Sequence, residues 1–357
     1  MNLPFVISSK SMEIGGFSQC TLSKSIESIA GYFSFSFKDK RILGARPLDI
    51  PFGDEVIEIR IGRETRLKAF LEVVTPSKGS DGRVIRLGGR EVTCDLVDCT
   101  LDRVRTLTGS LQVVLREITK PFELIEYQAI SDAAQNKVTT RTNPGEKYWE
   151  QIERLSRKAG ALLWTNGDGR INIGTTKGER VDLVLDERVI ADGASATYSS
   201  ADIFSRYIVR GDSETDQEMQ GWGTEAKSSY THASDFIRRP RPLCIKGENK
   251  QTASATRQRA IWESNIRLAR GIKATLPLRG LSEDALRLID INRIIRVKDD
   301  ALGLDREMLI TSYTITADTE EGLTALIEVT VPGAYELQPL SASEVKKELG
   351  GNLKFNW

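Results

Sequence analysis

The chain has 357 residues, room for two to four domains, and 39% of them are hydrophobic, ample for packed cores. Lys plus Arg and Asp plus Glu stand at 50 each, so no net field draws the molecule toward nucleic acid or an anionic membrane. No stretch approaches the roughly 20 apolar residues of a membrane span, and Met1-Asn2-Leu3-Pro4-Phe5 lacks the regions of a signal peptide, which points to folding in a cytosol.

Residues 1–97 read as β almost throughout. Period-2 alternation in residues 32–37 and 56–61 marks strands with one buried face. Turn chemistry falls between them at Gly15-Gly16, Pro51-Phe52-Gly53-Asp54 and Lys78-Gly79-Ser80-Asp81-Gly82. Short strands punctuated in this way predict a small antiparallel barrel.

Residues 98–180 change character. Leu111, Val114, Leu115 and Ile118 lie at helical spacing, with Ser110 as N-cap and Pro121 as stop. A stronger helix runs over 145–158, its apolar stripe formed by Tyr148, Trp149, Ile152, Leu155 and Ala159, and Gly160 ends it. Residues 161–165 and 170–173 flank Asn166-Gly167-Asp168-Gly169 as a hairpin. Together these predict a small α/β domain.

Residues 181–211 and 271–335 predict a second, discontinuous barrel, with 212–270 inserted and carrying a helix over 256–270. The second barrel repeats the order of the first. Residues 20–22, a polar turn and the strand 32–37 correspond to Ala196-Thr197-Tyr198, the turn 199–205 and Tyr207-Ile208-Val209-Arg210. The strand 56–61 corresponds to 291–297. Arg63-Glu64 leading into 67–74 corresponds to Arg306-Glu307 leading into 308–316, and the loop glycine Gly82 to Gly322. The stretch from glutamate to glycine is longer in the first copy, a difference assigned to the hairpin loop. The class is therefore α+β, β-dominated: two similar antiparallel β-barrels, a small α/β domain, an inserted domain and a C-terminal arm over 336–357. Duplicated modules suit an assembly part that looks nearly symmetric to its neighbours.

Signals for chemistry are weak. The four cysteines (Cys20, Cys94, Cys99, Cys244) form no CxxC pair, and the pair Cys94/Cys99 reads as buried free thiols. His232 is the sole histidine, so HExxH zinc is excluded, and its setting, Tyr230-Thr231-His232-Ala233, reads as a surface loop. The acidic pairs Glu283-Asp284 and Asp299-Asp300 read as solvated loops rather than a glycosidase dyad. Arg238-Arg239-Pro240-Arg241, with Lys246 nearby, reads as a solvated or intersubunit basic loop. Trp149, Trp164 and Trp262 lie on apolar stripes and read as core, while Trp222 reads as exposed. No catalytic residue, metal ligand or cofactor follows, and no sequence-specific nucleic-acid binding is expected.

In the C-terminal arm, Ser341 or Ser343 can cap a short helix that Gly350-Gly351 ends. Leu353, Phe355 and Trp357 then alternate on one face of a strand, which either covers its own barrel or adds to a partner's sheet.

Four stretches carry a family resemblance. They are Gly88-Gly89-Arg90-Glu91 running into Asp95-Leu96-Val97-Asp98-Cys99; the helix with Tyr148-Trp149; Tyr207-Ile208-Val209-Arg210-Gly211; and Trp262-Glu263-Ser264-Asn265 leading into Arg267-Leu268-Ala269-Arg270. In this order they resemble the baseplate hub proteins (tail protein P) of Mu-like phages and prophages, over residues 5–335. More remotely the chain is similar to hubs of other contractile tails and to the base of type VI secretion spikes. The resemblance implies a virion structural protein: a homotrimer whose six barrels form a pseudo-six-fold ring joining the tail tube and adjacent baseplate proteins to the central spike. The alternative reading is an envelope-binding or cell-wall-lytic tail module.

Overall fold

The computed structural model describes residues 5–8, 13–14, 17–39, 53, 55–62, 64–79, 82–174, 178–210, 229–233, 237–246, 253–319 and 322–332. The N-terminal part contributes β1 (Phe5–Ser8), β2 (Glu13–Ile14), β3 (Gln19–Ser25), β4 (Ser28–Asp39), β5 (Val56–Ile61), β6 (Glu64–Gly79) and β7 (Gly82–Glu91). The α/β unit follows with α1 (Cys94–Asp98), β8 (Thr106–Ser110), α2 (Leu111–Ile118), β9 (Glu126–Ala129), β10 (Lys137–Arg141), α3 (Tyr148–Ala159), β11 (Leu162–Thr165) and β12 (Arg170–Gly174). Next come β13 (Glu179–Asp186), β14 (Ser195–Tyr198), β15 (Arg206–Arg210), β16 (Ser229–Ala233), β17 (Pro242–Lys246) and α4 (Ala253–Arg270). The described chain closes with β18 (Ile272–Arg279), α5 (Glu283–Leu288), β19 (Arg293–Asp299), β20 (Leu304–Asp318) and β21 (Gly322–Thr330). The expected class holds: α+β, dominated by strands.

Thirteen strands form one sheet in the order β14-β18-β21-β20-β3-β4-β7-β6-β5-β1-β2, with β19 beside β20 and β13 parallel to β19. The duplication is visible in its ladder. β3-β4-β7-β6-β5 in the first half matches β14-β18-β21-β20-β19 in the second. Each half has one long strand, β6 or β20. Its first part pairs with β5 or β19, and a bulge follows, between Leu71 and Val73 or between Ile310 and Ser312.

Two sequence expectations change here. Tyr207-Ile208-Val209-Arg210 is not the second strand of the second copy. That place belongs to β18, which pairs with β14 (Ala196 opposite Ala274) and with β21 (Leu276 opposite Ile327). β15 lies instead in a separate three-stranded sheet, antiparallel to β16 and parallel to β17. Its buried side chains Tyr207 and Val209 pack with Ala260 of α4. The insertion into the second copy therefore opens after Tyr198 rather than at 212, and Ser199 N–H donates to the Gly271 carbonyl across its base at 2.7 Å. The Arg-Glu pairs also differ in register. Glu64 begins β6 opposite Ile61, whereas Glu307 lies inside β20 opposite Arg296.

Alternation sets the core. In β5, Ile57, Ile59 and Ile61 point inward between half-buried Val56, Glu58 and Arg60. Phe5, Phe17, Phe33 and Phe35 meet at ring separations of 4.9–5.7 Å, each burial contributing about 1.5–3 kcal/mol. Both halves share this core, since Leu22, Ile59 and Leu87 belong to one apolar cluster with Leu276, Ile315 and Ile327.

The α/β unit has its own core. Leu111, Val114, Leu115 and Ile118 of α2 pack with Ile152 and Leu155 of α3 and with Ile171 and Ile173 of β12. Ser110 occupies the α2 N-cap position without a side-chain cap bond, and Gly160 ends α3 at φ 69°. β9 is an edge strand, and α2 blunts it: Gln112 Nε2 and Arg116 Nη2 donate to the Tyr127 carbonyl at 3.0 and 3.1 Å.

Candidate functional site: a buried charged seam

Period-2 alternation in β3 buries Cys20, Leu22 and, on the same face, Lys24. The Lys24 side chain is 1% exposed and reaches Asp290, which precedes β19 in the second copy. On β6, Arg66 is also buried. Its guanidinium donates to the Arg287 carbonyl at 3.4 Å, the Leu286 carbonyl at 3.5 Å and the Ile289 carbonyl, so it collects the last carbonyls of α5. It also lies 5.6 Å from the centroid of the Tyr313 ring on β20. Glu91, at the end of β7, is fully buried. Its carboxyl accepts from the Gly31 N–H at 3.3 Å and from the Thr165 hydroxyl of the α/β unit. One polar cluster thus touches both copies and the α/β unit.

The charges are mutually tuned. Burial disfavours the Lys24 ammonium, but Asp290, Tyr313 and Glu91 outweigh it and hold its pKa above the usual lysine value. Burial likewise pushes Asp290 up, yet Lys24 and Arg66 outweigh it and hold the carboxyl below its usual range. At Glu91 burial wins, against Lys24 and the two hydrogen bonds, and the pKa rises to about 7. Desolvation first, and then Asp290, raises the Tyr313 phenol. Such an arrangement locks elements together.

The sequence-stated candidates fall elsewhere. Leu353, Phe355 and Trp357 lie outside the described residues, as does Trp222. His232 lies in β16 opposite Tyr207, not in a loop, because the alternating run 229–233 completes the inserted sheet. Asp299 is buried and accepts the Leu302 N–H at 2.9 Å in the β19–β20 turn, while Glu283 and Asp284 lie in the first turn of α5, paired with Arg287. Glu283 and Asp284 are solvent-exposed as expected but helical, and of the second pair only Asp300 is an exposed turn residue. Cys94 is buried but Cys99 is exposed, because α1 ends at Asp98 and turns the next residue outward. Arg238 and Arg239 are exposed, whereas Arg241 stacks on Phe204 at 4.8 Å and donates to the Ser200 and Ala201 carbonyls at 3.2 and 2.6 Å. Trp164 is buried. Trp149 and Trp262 are half-buried, the latter under Arg259 at 4.7 Å. Among the described residues no group of three or more His, Cys, Asp or Glu side chains could hold a metal, and no helix is long and apolar enough to cross a membrane.

Comparison with known proteins gives this architecture its context. Residues 93–175 match the family described as baseplate hub protein gp44-like, second domain, and 252–338 match Mu phage baseplate assembly protein GpP, fourth domain. The baseplate hub protein gp44 of Escherichia phage Mu is 24% identical, over 94% of this chain and 89% of that protein. The chain is similar in sequence to the Mu-type baseplate hub proteins. The crystal structure of the 43 kDa tail protein of prophage MuSo2 from Shewanella oneidensis superposes with a TM-score of 0.77 at 25% identity, covering 93% of this chain and 99% of that one. The fold is shared more distantly by the E. coli protein c3393, a component of the type VI secretion system (TM-score 0.59, 12% identity, 94% of this chain and 79% of that one). The chain thus resembles the tail and baseplate proteins of Mu-like phages over nearly its whole length and shares its fold with a type VI component.

Proposed function

We propose that this hub works as a homotrimer in which the two copies are successive segments of a pseudo-six-fold ring between the tail tube and a central spike. The observation that carries the reading is the junction inside the chain. β3, the first strand of copy one, pairs along residues 312–318 of β20, beyond the bulge in copy two. Among the described residues the corresponding edge of β6, residues 73–79, has no strand beside it opposite β7, and β14, the counterpart of β3, has a strand, β18, on one side only. Setting β14 of one chain on β6 of the next repeats the internal junction between chains. Three chains then close the ring through heterologous contacts that satisfy both open edges. The α/β unit and the insert are attachments to this ring, and the role is non-enzymatic.

Sedimentation equilibrium at micromolar concentration, with a turbidity assay on isolated cell walls, tests this. A trimer that does not clear walls is expected. A monomer that lyses them overturns the hub reading in favour of a lytic tail module. We further propose that Leu353, Phe355 and Trp357 form a strand-adding arm for the spike. Truncation after Gly350 is expected to leave the trimer intact and abolish spike binding; normal spike binding refutes that role.

A further inference from the structure

Inside the chain, the two copies touch beyond the β3–β20 ladder. The turn Ile26-Glu27, between β3 and β4, sits on the bulge of β20, where the Ile26 N–H donates to the Thr311 carbonyl at 2.8 Å. Exposed Glu27 lines one cleft there with Arg270, Lys273 and Glu328 of the second copy. Glu328 is itself engaged, accepting from the Ser312 hydroxyl at 3.0 Å. The incoming turn thus brings a carboxylate, and the receiving copy answers with Arg270 and Lys273.

The matching surfaces at the chain's two open edges carry the opposite signs. Where the turn follows β3, the insert follows β14, entered through residues 199–205. Arg241 closes that entry, its N–H donating to Ser205 Oγ at 2.8 Å and its carbonyl accepting the Ser205 N–H at 2.9 Å. Arg206, Arg238 and Arg239 stand exposed beside it, against one exposed acid, Asp202, and none of these arginines has a carboxylate partner among the described residues. On the receiving side, the bulge residue of β6 that matches Thr311 is Glu72. Glu72 and Asp98 each hold Arg90 at 2.6 Å, and Asp95 adds a further carboxylate, with Lys147 the next cation. Tyr32, opposite Arg90, and Val73, beside the bulge, are 48% and 54% exposed at the same place.

We infer that this acidic patch is the seat of a neighbouring copy's insert: Arg206, Arg238 and Arg239 of one chain dock on Glu72 and Asp98 of the next. The inference rests on the ring reading, since laying the internal junction over the open edges brings the entry of one insert to the β6 bulge of the next chain. It adds what keeps the two kinds of junction apart. β3 set on β6 of another chain puts Glu27 against Glu72, and β14 set on β20 puts the insert's arginines against Arg270 and Lys273. Like charges then meet in either mispairing, and opposite charges meet only in the correct ring.

Sedimentation of the full chain at low salt tests this with Arg238→Glu/Arg239→Glu, with Asp98→Lys and with all three changes together. Either reversal alone is expected to raise the concentration needed for the trimer by about tenfold or more, and the combination to recover most of the loss. Arg90 keeps its paired bonds to Glu72 when Asp98 is replaced, so thermal unfolding of the separated chains should change little. Should Asp98→Lys fail to fold, Asp98→Asn takes its place, with a smaller recovery expected. A wild-type chain that stays monomeric overturns the ring and this contact with it. A trimer that forms equally well with Arg238→Glu/Arg239→Glu, or one that the change at Asp98 does not rescue, overturns the contact and leaves the ring standing.

Discussion

Lys24 and Asp290 stand 266 residues apart in the chain and meet at 3.2 Å through Nζ and Oδ1, across the seam between the two copies. Lys24 is withdrawn from water, whereas the Asp290 side chain keeps 23% exposure. Breaking such a pair on the lysine side takes the main cation from the Asp290 carboxylate and leaves it the Ile291 N–H at 2.8 Å and the weaker field of Arg66. Lys24→Met is therefore expected to cost about 3 kcal/mol in urea unfolding. The pair also sets an acid limit. Because the Asp290 pKa is depressed in the folded state, its contribution is present above the usual carboxylate range and is lost as pH falls through the lowered value. That loss on acidification is expected to be smaller in Lys24→Met than in the wild type.

Gly167 holds the α/β unit against β6 by the absence of a side chain. Its φ is +89°, and a Cβ there would run into the Arg66 carbonyl oxygen, which is backbone and cannot step aside. Gly167→Ala is expected to destabilise by about 2–3 kcal/mol. Hydrogen exchange should show the loss concentrated in the β11–β12 hairpin and adjoining β6, with β20 and β21 little changed.

Thiol chemistry gives a direct check on burial. Cys20 and Cys94 are buried, and desolvation pushes each thiol up to about 12. Cys99 and Cys244 are exposed. In the native protein at pH 8, iodoacetamide is expected to label Cys99 and Cys244 within the time that leaves Cys20 and Cys94 unmodified, and denaturant should equalise all four. Labelling of Cys20 at the rate of Cys244 would contradict the described core.

Much of this was legible from local pattern. The 166–169 hairpin, the apolar stripe of α3 and the helix of the insert all follow from spacing that neighbouring residues set themselves. Strand partnership did not follow. Residues 207–210 and 272–279 alternate equally well, and proximity in sequence favoured the first, yet β14 pairs with β18 on the far side of the whole insertion. Nothing in a period-2 pattern encodes a partner that distant. Lys24 was partly legible, since it continues the buried positions Cys20 and Leu22. The expected strand stopped at Leu22, short of Lys24, which hid that phase, and its partner Asp290 carries no local mark. The Arg-Glu repeat misled for a related reason: the bulges, not the charged pairs, fix the register of the two long strands.

The ring itself can be broken at one atom. Ser199 N–H bonds toward β18, to the Gly271 carbonyl. Alternation along β14 then turns the backbone groups of Thr197 to the same side and those of Ala196 to the edge away from β18. Ala196→Pro removes the outward N–H of Ala196 while leaving the β14–β18 ladder its own donors, and proline is tolerated on an edge strand. Thermal stability of the isolated chain is expected to change little, while the trimer weakens by at least tenfold in its assembly concentration, read by sedimentation. Thr197→Pro, which removes a donor pointing into the sheet, should instead lower stability. If Ala196→Pro forms trimers as readily as wild type, strand addition at β14 is not what joins the chains.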